Sequence, residues 1–175
     1  MSERPTSSIF EEPEVPQASR ELAELRTAEG YVPPFRIIRR RVTDDYYEGA
    51  QGTATVDATI VICVGDVEEI EAARGVGVVN ALDLALRKAL LKYFPFLQQV
   101  RVAETYMHAS GESTEAEVMS VKRFTDGHAT WTTLSRSPNT VEAGWQSLVD
   151  GYEWRIIREV MKQRRAERHN SLPRS

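Results

Sequence analysis

The sequence predicts an α+β fold built from two βββα units, each with an antiparallel sheet and one main helix. Apolar and polar residues alternate in two groups of three short segments, which is the period of half-buried strands. Each group is followed by a segment with apolar residues at helical spacing. The turn and helix that begin at 135 resemble those that begin at 75, and this similarity indicates a duplicated unit.

The N-terminal third of the chain begins with residues 1–17, whose proline, serine and glutamate content is typical of a disordered leader. Residues 18–34 are predicted to form a connector containing a short helix, with Ser19 as its N-cap and Pro33-Pro34 beyond its end. The remaining predicted segments are a first unit at 35–95, a second unit at 96–163 and a basic tail at 164–175.

Turn signals separate the predicted strands of both units. Gly65-Asp66 and Asp126-Gly127 each have the composition of a hairpin turn. The second helix is predicted to start at Asn139 as N-cap, with Glu142 in the capping-box position. The predicted strands are 35–42, 56–64, 67–73, 98–108, 116–124 and 128–135, and the predicted helices are 79–93 and 139–163.

Composition limits the classes of function. The formal charge of −4 argues against a simple basic nucleic-acid binder. The charge is uneven, because residues 1–33 hold seven glutamates and three arginines, whereas 162–175 hold five basic residues and one glutamate. The basic end offers a contact for an acidic partner, although a solvated, frayed end is the simpler expectation.

The sequence also predicts a cytoplasmic protein with no membrane-spanning segment, because it shows neither a signal peptide nor an apolar run of about 20 residues. Cys63 is the one cysteine, so no internal disulfide can form. The three histidines are scattered and Asp44-Asp45 has the character of a solvated turn. We therefore predict no catalytic residues, no metal and no cofactor.

Two motifs together resemble the C-terminal regulatory, or dimerisation, domain of 2-isopropylmalate synthase and citramalate synthase. They occur in that domain's order, the resemblance covers roughly residues 20–160, and it is closer to the citramalate synthase branch. The motifs are Gly75-x-Gly77-x-Val79-Asn80-Ala81-Leu82-Asp83-x-Ala85-Leu86-Arg87-Lys88-Ala89-Leu90 and Ser137-x-Asn139-x-Val141-Glu142-Ala143-x-Trp145-Gln146-x-Leu148-Val149-Asp150.

The resemblance implies two pseudo-symmetric βββα units that form a homodimer and bind a branched-chain amino acid, leucine or isoleucine, as feedback effector. The full enzymes of the family condense acetyl-CoA with a 2-oxo acid on a metal-dependent TIM barrel. A chain of 175 residues is too short to hold that barrel as well. The expectation is therefore a stand-alone regulatory chain, not an enzyme by itself, that acts on a separate catalytic synthase subunit.

An amino-acid effector needs donors for its carboxylate, an acceptor for its ammonium group and an apolar pocket. N–H groups after Gly75 and Gly77 are the candidate carboxylate donors, helped by the positive end of the helix dipole. Asn80 or Glu142 is the candidate ammonium acceptor. The alternative for the glycines is a purely structural turn, and the alternative for Glu142 is its own capping box.

The apolar pocket is assigned to Val79, Leu82 and Leu86, for which ordinary core positions are the alternative. Ser137 and Asn139 complete the candidate effector site from the second turn.

Departures from the family pattern leave other functions open. Val78 stands where the family commonly has proline, and Arg136 is bulky and charged where the family often has a small residue. A ligand-free dimerisation or interaction module of the same fold is therefore one alternative. A fragment of a full synthase is another, and an enzyme in its own right is the remaining one.

Overall fold

The computed structural model describes residues 14–45, 55–110 and 116–170. It confirms an α+β fold with two βββα units. In chain order the elements are α1 (Gln17–Thr27), β1 (Arg36–Asp45), β2 (Thr55–Val64), β3 (Val67–Gly75), α2 (Val78–Leu91), a short 3₁₀ helix (Pro95–Gln99), β4 (Arg101–Ser110), β5 (Glu117–Thr125), β6 (Thr130–Ser137) and α3 (Thr140–Asn170).

The strands form two separate antiparallel sheets, a first sheet ordered β1-β2-β3 and a second sheet ordered β4-β5-β6. Each long helix packs on the last two strands of its own unit, α2 on β2 and β3, and α3 on β5 and β6. The two helices also contact each other, so one apolar core runs through both units. Neither unit buries its helix alone, which explains why the units occur together.

Strand register shows that the two units are equivalent position by position. Val56 of β2 lies opposite Gly75 at the end of β3, and Val118 of β5 lies opposite Ser137 at the end of β6. The first strand of each sheet also has a register shift at the same place, after its second residue. This shared irregularity supports an origin by duplication, because a bulge has no reason to recur at one position by chance.

The inner faces of the two sheets differ in chemistry. Towards α2 the first sheet presents Val56, Ala58, Ile60 and Ile62, all buried. The equivalent positions of the second sheet are Val118, Ser120, Lys122 and Phe124, also buried. Ser120 Oγ lies 2.9 Å from Ser147 Oγ on α3, and Thr133 Oγ1 donates to the Ser147 carbonyl at 2.6 Å. Hydrogen bonds thus replace part of the apolar contact in the second unit.

The connector helix α1 and the segment after it are fastened to α3 by a group of polar side chains, which we call the connector clamp: Arg26, Tyr31, Asp150 and Glu153. Arg26 donates to Asp150 at 2.7 Å and also to Glu153. The Tyr31 hydroxyl donates to Glu153 as well. Asp150 and Glu153 are buried, so the guanidinium supplies the charge that their carboxylates need inside the protein.

Both hairpin turns are confirmed. Gly65 has a φ of 58°, as the first central residue of a Gly-x hairpin requires. The second hairpin has a four-residue loop, in which Gly127 has a φ of 87°. The Asp126 carboxylate accepts the N–H groups of His128 at 3.0 Å and Ala129 at 2.8 Å, which fixes the turn.

The start of α1 differs from its prediction. The helix begins at Gln17, inside the predicted leader, and its N-cap is Pro16. Ser19 is therefore not the cap. Its hydroxyl instead accepts the N–H of Leu134 on β6 at 2.8 Å. Asp44 and Asp45, predicted as part of a turn, instead end β1, where they lie opposite Val56 and Thr55 of β2. Residues 1–13 of the predicted leader and the rest of that predicted turn, beyond Asp45, lie outside the described residues.

Two further boundaries differ from those predicted. The segment from Pro95 to Gln99 is a 3₁₀ helix, and β4 begins three residues later than predicted because Leu97 turns into the core. The last helix continues to Asn170, through the first part of the predicted tail. Residues 161–169 contain mostly strong helix formers, and Arg168 and His169 complement the helix dipole at the C-terminus.

No helix within the described segments combines the length and the apolarity that crossing a bilayer demands.

Candidate functional site at two helix starts

The N-termini of α2 and α3 lie at the same end of the molecule. Two contacts show that α2 and α3 run in the same direction. Val79 near the start of α2 lies beside Gly144 of α3. Asp83, about one turn further along α2, accepts a 2.6 Å hydrogen bond from the hydroxyl of Tyr152, about two turns further along α3. The two turns that carry the sequence motifs therefore adjoin. Met107 of β4 also lies beside Gly144. The N-terminal parts of both helices, which carry partial positive charge, thus lie at one end of the helix pair, whereas the predicted effector residues Leu82 and Leu86 lie deeper in the core.

The first glycine of the turn, Gly75, is required by packing. It is buried at the end of β3, and a Cβ there would lie 2.5 Å from Asn80 Oδ1 and 2.6 Å from the Ala81 nitrogen. The Asn80 amide oxygen accepts the N–H of Val76 at 3.2 Å and so holds the turn against the helix. Of the two readings of Gly75, this geometry supports the structural one.

The second glycine, Gly77, has open space around it. Its φ of −171° is extended backbone that any residue adopts, and an added Cβ would meet no atom within 4 Å. Gly77 is the N-cap of α2, and in the described part of the chain no side-chain hydrogen bond caps that end. The first N–H groups of α2 therefore have no acceptor in the helix, and they lie where a small anion can approach.

In the second turn, at residues 137–139, side chains of the turn itself accept backbone N–H groups at the start of α3. The Asn139 carboxamide oxygen accepts the N–H of Glu142 at 3.0 Å, which confirms Asn139 as the N-cap of α3. The Asn139 N–H in turn donates to the Ser137 hydroxyl at 3.1 Å. In a complete capping box the Glu142 carboxylate would accept the N–H of Asn139. Here the Ser137 hydroxyl accepts that N–H instead, so only one of the two expected hydrogen bonds of the box forms.

The Glu142 carboxylate reaches across the interface between the units. It pairs with Arg40 of β1, whose guanidinium also lies 5.3 Å from the centre of the Trp145 ring. Sequence reasoning missed this partner, since the two residues are 102 positions apart. As an ammonium acceptor, Glu142 would have to share its carboxylate between Arg40 and the ligand.

The apolar members of the candidate site differ in access. Leu82 and Leu86 have no exposed surface and belong to the core between the units. Val79 is half-buried and Asn80 is exposed. A ligand at the helix starts therefore meets Val79 first, and it reaches the two leucines only if the core rearranges.

A polar cluster lies one to two helical turns deeper. It contains the buried side chains of Tyr152 and Lys122 and the half-buried side chain of Asp83, and the Lys122 ammonium group is 3.4 Å from the Thr105 hydroxyl. Burial raises the pKa of Asp83, against the opposing effects of the Tyr152 hydrogen bond and the nearby cations. Burial also lowers the pKa of Lys122, with Asp83 opposing it. Sequence reasoning missed Lys122. Strand alternation could have placed it inside, but a charged residue is ordinarily taken to mark a solvent face.

Within the described residues, no three His, Cys, Asp or Glu side chains are grouped closely enough to hold a metal ion.

Alanine substitutions at the two glycines are expected to lower stability by different amounts. Gly75→Ala is expected to lower the free energy of unfolding by about 2 kcal/mol, because its Cβ meets backbone atoms of Ala81 that have no room to retreat. Gly77→Ala is expected to cost less than about 1 kcal/mol, since its Cβ enters open space. Urea unfolding followed by tryptophan fluorescence distinguishes the two. Equal losses would contradict the assignment of Gly75 as the packing glycine.

Comparison with known proteins agrees with this architecture. Residues 21–155 match the model of the LeuA allosteric (dimerisation) domain. The chain belongs to this family. The match includes α1 from Glu21 onwards, the first βββα unit, and the second unit as far as the middle of α3, so the candidate site lies wholly within the family domain.

The chain is also similar to curated (R)-citramalate synthases. It is 34% identical to the one from Geobacter sulfurreducens over 142 residues, which are 80% of this chain and 27% of that protein. It is 36% identical to the Aquifex aeolicus protein over 127 residues, 71% of this chain and 23% of that protein. The Synechocystis protein is 32% identical over 146 residues, 81% and 26% respectively. The chain thus spans about a quarter of the length of these relatives.

Proposed function

We propose that this chain is a cytoplasmic regulatory domain that binds a branched-chain amino acid, leucine or isoleucine, at the paired starts of α2 and α3. In this proposal it works as a homodimer on a separate catalytic synthase subunit and is not an enzyme by itself. The observation that carries the proposal is the uncapped start of α2 in a domain of the LeuA allosteric family. The citramalate synthase relatives favour amino-acid biosynthesis as its setting.

The carboxylate of the effector is assigned to the N–H groups of α2 that follow Gly77. That end carries partial positive charge, lacks a side-chain cap and has room beside it. The second turn, at Ser137 and Asn139, borders the ligand but has its own donors engaged. The two turns therefore have unequal roles, and the first one supplies the anion site.

The ammonium group is assigned to Asn80 and Glu142, which occupy equivalent positions on α2 and α3. Asn80 Oδ1 already accepts one N–H, from Val76, and retains a second lone pair. Val79 provides the first apolar contact for the effector side chain, with Leu82 and Leu86 behind it. Leucine and isoleucine differ only in branching, so contact with Val79 is what would separate them.

Calorimetric titration with leucine, isoleucine and valine tests the effector site. We expect saturable binding of leucine or isoleucine, and at least a tenfold loss of affinity in Gly77→Val, whose side chain would fill the open space at the helix start. Gly77→Ala is the matched control, because it leaves most of that space free. An unchanged affinity in a folded Gly77→Val protein would contradict the assignment.

A ligand-free interaction module remains the second candidate. The engaged donors of the second turn and the Arg40–Glu142 pair favour it, because they occupy groups that an effector would use. If none of the three amino acids binds in the titration, and light scattering shows that the protein is dimeric, this candidate would be supported. Inhibition of a barrel-only synthase by the chain plus amino acid would support the regulatory one.

A further inference from the structure

Each long helix also faces the first strand of the other unit, so that α3 faces β1 and α2 faces β4. Between α3 and β1 the space is filled. Arg40 pairs with Glu142, and its guanidinium lies 5.3 Å from the centre of the Trp145 ring. Strand register makes Thr105 on β4 the equivalent of Arg40 on β1, so the same place between α2 and β4 holds a much smaller side chain.

The side chains between α2 and β4 leave surface uncovered. On α2, Asn80 and Asp83 occupy the positions of the two contacting residues on α3, and each is smaller than its equivalent. On β4, Thr105 and Met107 are exposed, although register places both on the inner face of the second sheet. The described residues thus leave an open strip between α2 and β4. We call it the β4 strip and define it by Val79, Asp83, Thr105 and Met107.

The β4 strip is continuous with the start of α2. Val79 is the second residue of the helix, so its own N–H is one of those that have no acceptor in the helix. A Cβ on Gly144 would lie 3.0 Å from the Val79 side chain and 3.6 Å from the terminal methyl group of Met107. Both side chains therefore rest on the same glycine of α3. A ligand held by its carboxylate at the start of α2 can place its side chain against Val79 and Met107.

The far end of the strip is polar. Asp83 accepts the Tyr152 hydroxyl at 2.6 Å, and the Lys122 ammonium group lies 3.4 Å from the Thr105 hydroxyl. Desolvating such groups with an apolar ligand costs free energy, because the ligand offers them no hydrogen bond. The apolar part of the strip therefore ends about one helical turn, or about 6 Å, beyond Val79. This boundary limits the length of an apolar side chain that fits.

We propose that the β4 strip receives the side chain of the effector and that Met107 is a specificity-determining residue. The inference rests on the proposed function, since it needs an amino acid bound by its carboxylate at the start of α2. Met107 is 39% exposed, so a side chain packed against it removes apolar surface from water. Its unbranched thioether adapts to the shape of an apolar partner. The polar end of the strip then disfavours side chains longer than those of leucine and isoleucine.

The test follows the methionine methyl groups of the full chain by ¹³C NMR during titration with leucine, isoleucine and valine. Met107→Leu identifies the Met107 resonance by removing it. We expect this resonance to shift saturably, with the dissociation constant that calorimetry gives for the same amino acid. Met161, 43% exposed and several turns beyond Gly144 on α3, is the internal control and should not shift.

The outcomes separate this inference from the proposed function. Calorimetric binding that leaves the Met107 methyl resonance unmoved would overturn the inference and leave the proposed function standing. Absence of binding for all three amino acids would overturn both. A Met107 resonance that shifts when the free protein is diluted would overturn the inference in favour of a second copy as the occupant of the strip.

Selectivity is a readout that a merely structural role of Met107 would not change. We expect Met107→Ala to weaken leucine and isoleucine binding about tenfold and to reduce their advantage over phenylalanine, because the variant loses an apolar wall and gains room for a larger side chain. Met107→Leu, with a similar volume, should keep the wild-type order of affinities. Ile70→Ala is the matched control, since Ile70 is 60% exposed on the outer face of the first sheet. Unchanged affinities in Met107→Ala would overturn the inference.

Discussion

Gly151→Ala is expected to destabilise the protein by about 3 kcal/mol. A Cβ at this position would lie 2.1 Å from Cζ and 2.2 Å from Cε2 of the Phe124 ring. The ring cannot retreat, because it is fully buried, stacked on Trp131 at 5.6 Å and edge-on to Tyr152 at 6.0 Å. Overpacking of a closed core ordinarily costs about 1–3 kcal/mol, and this site has no free volume beside it.

Urea unfolding of three variants checks the cause. Phe124→Leu alone should also destabilise, because it removes ring contacts. In the double variant, the leucine frees space for the new methyl group, so the combined loss should fall below the sum of the two single losses by more than about 1 kcal/mol. Strict additivity would show that Gly151 acts through backbone freedom and not through Phe124.

Arg26→Met is expected to cost about 2–3 kcal/mol by opening the connector clamp. The substitution leaves the carboxylates of Asp150 and Glu153 buried without their cation. Removing one partner of a buried pair costs about 3–5 kcal/mol, and the lower value is expected because the Arg26 side chain is 36% exposed. Arg20→Met is the control on the same helix. Its pair with Glu14 is exposed, so its loss should stay below about 1 kcal/mol.

The pH dependence of the stability of Arg26→Met follows from the direction in which the pKa of the Asp150 carboxyl is shifted. Burial already raises the pKa of Asp150, and Arg26 opposes that rise. Without the guanidinium the pKa of Asp150 in the folded protein rises further. At a pH between the unfolded-state pKa, near 4, and this raised folded-state pKa, the folded protein therefore binds more protons than the unfolded chain. Stability of the variant should therefore increase as the pH falls from 7 through the raised folded-state pKa of Asp150. A deficit that grows over that interval would contradict the clamp.

The architecture was predictable because local patterns agree with the global fold. Alternation gave the six strands, helical spacing gave the two main helices, and Gly65 and Gly127 marked the hairpins. The strand bulges had no such signal, because they depend on pairing between strands and not on residue type. The extension of α3 was underestimated, since charge was taken as evidence of a frayed end although the residues are good helix formers.

The candidate site was predictable in its location and less so in its details. Two turn–helix motifs placed it, but the different environments of Gly75 and Gly77 depend on where α2 packs. The Arg40–Glu142 pair joins residues from different units, and no local rule connects them. Lys122 was overlooked for a related reason: a lysine at an inward strand position is noticed only when the neighbours that tolerate it, Asp83 and Thr105, are known.

The unlike inner faces of the two sheets have a consequence for how a duplicated chain assembles. Ile62 and Phe124 occupy equivalent strand positions, and Ala89 and Gly151 occupy equivalent helix positions, so the larger sheet residue faces the smaller helix residue. If α2 docked on the second sheet, the Ala89 methyl would collide with the Phe124 ring. If α3 docked on the first sheet, Gly151 would leave a void beside Ile62. Each helix therefore recognises its own sheet, and two repeats of common origin fold without exchanging partners.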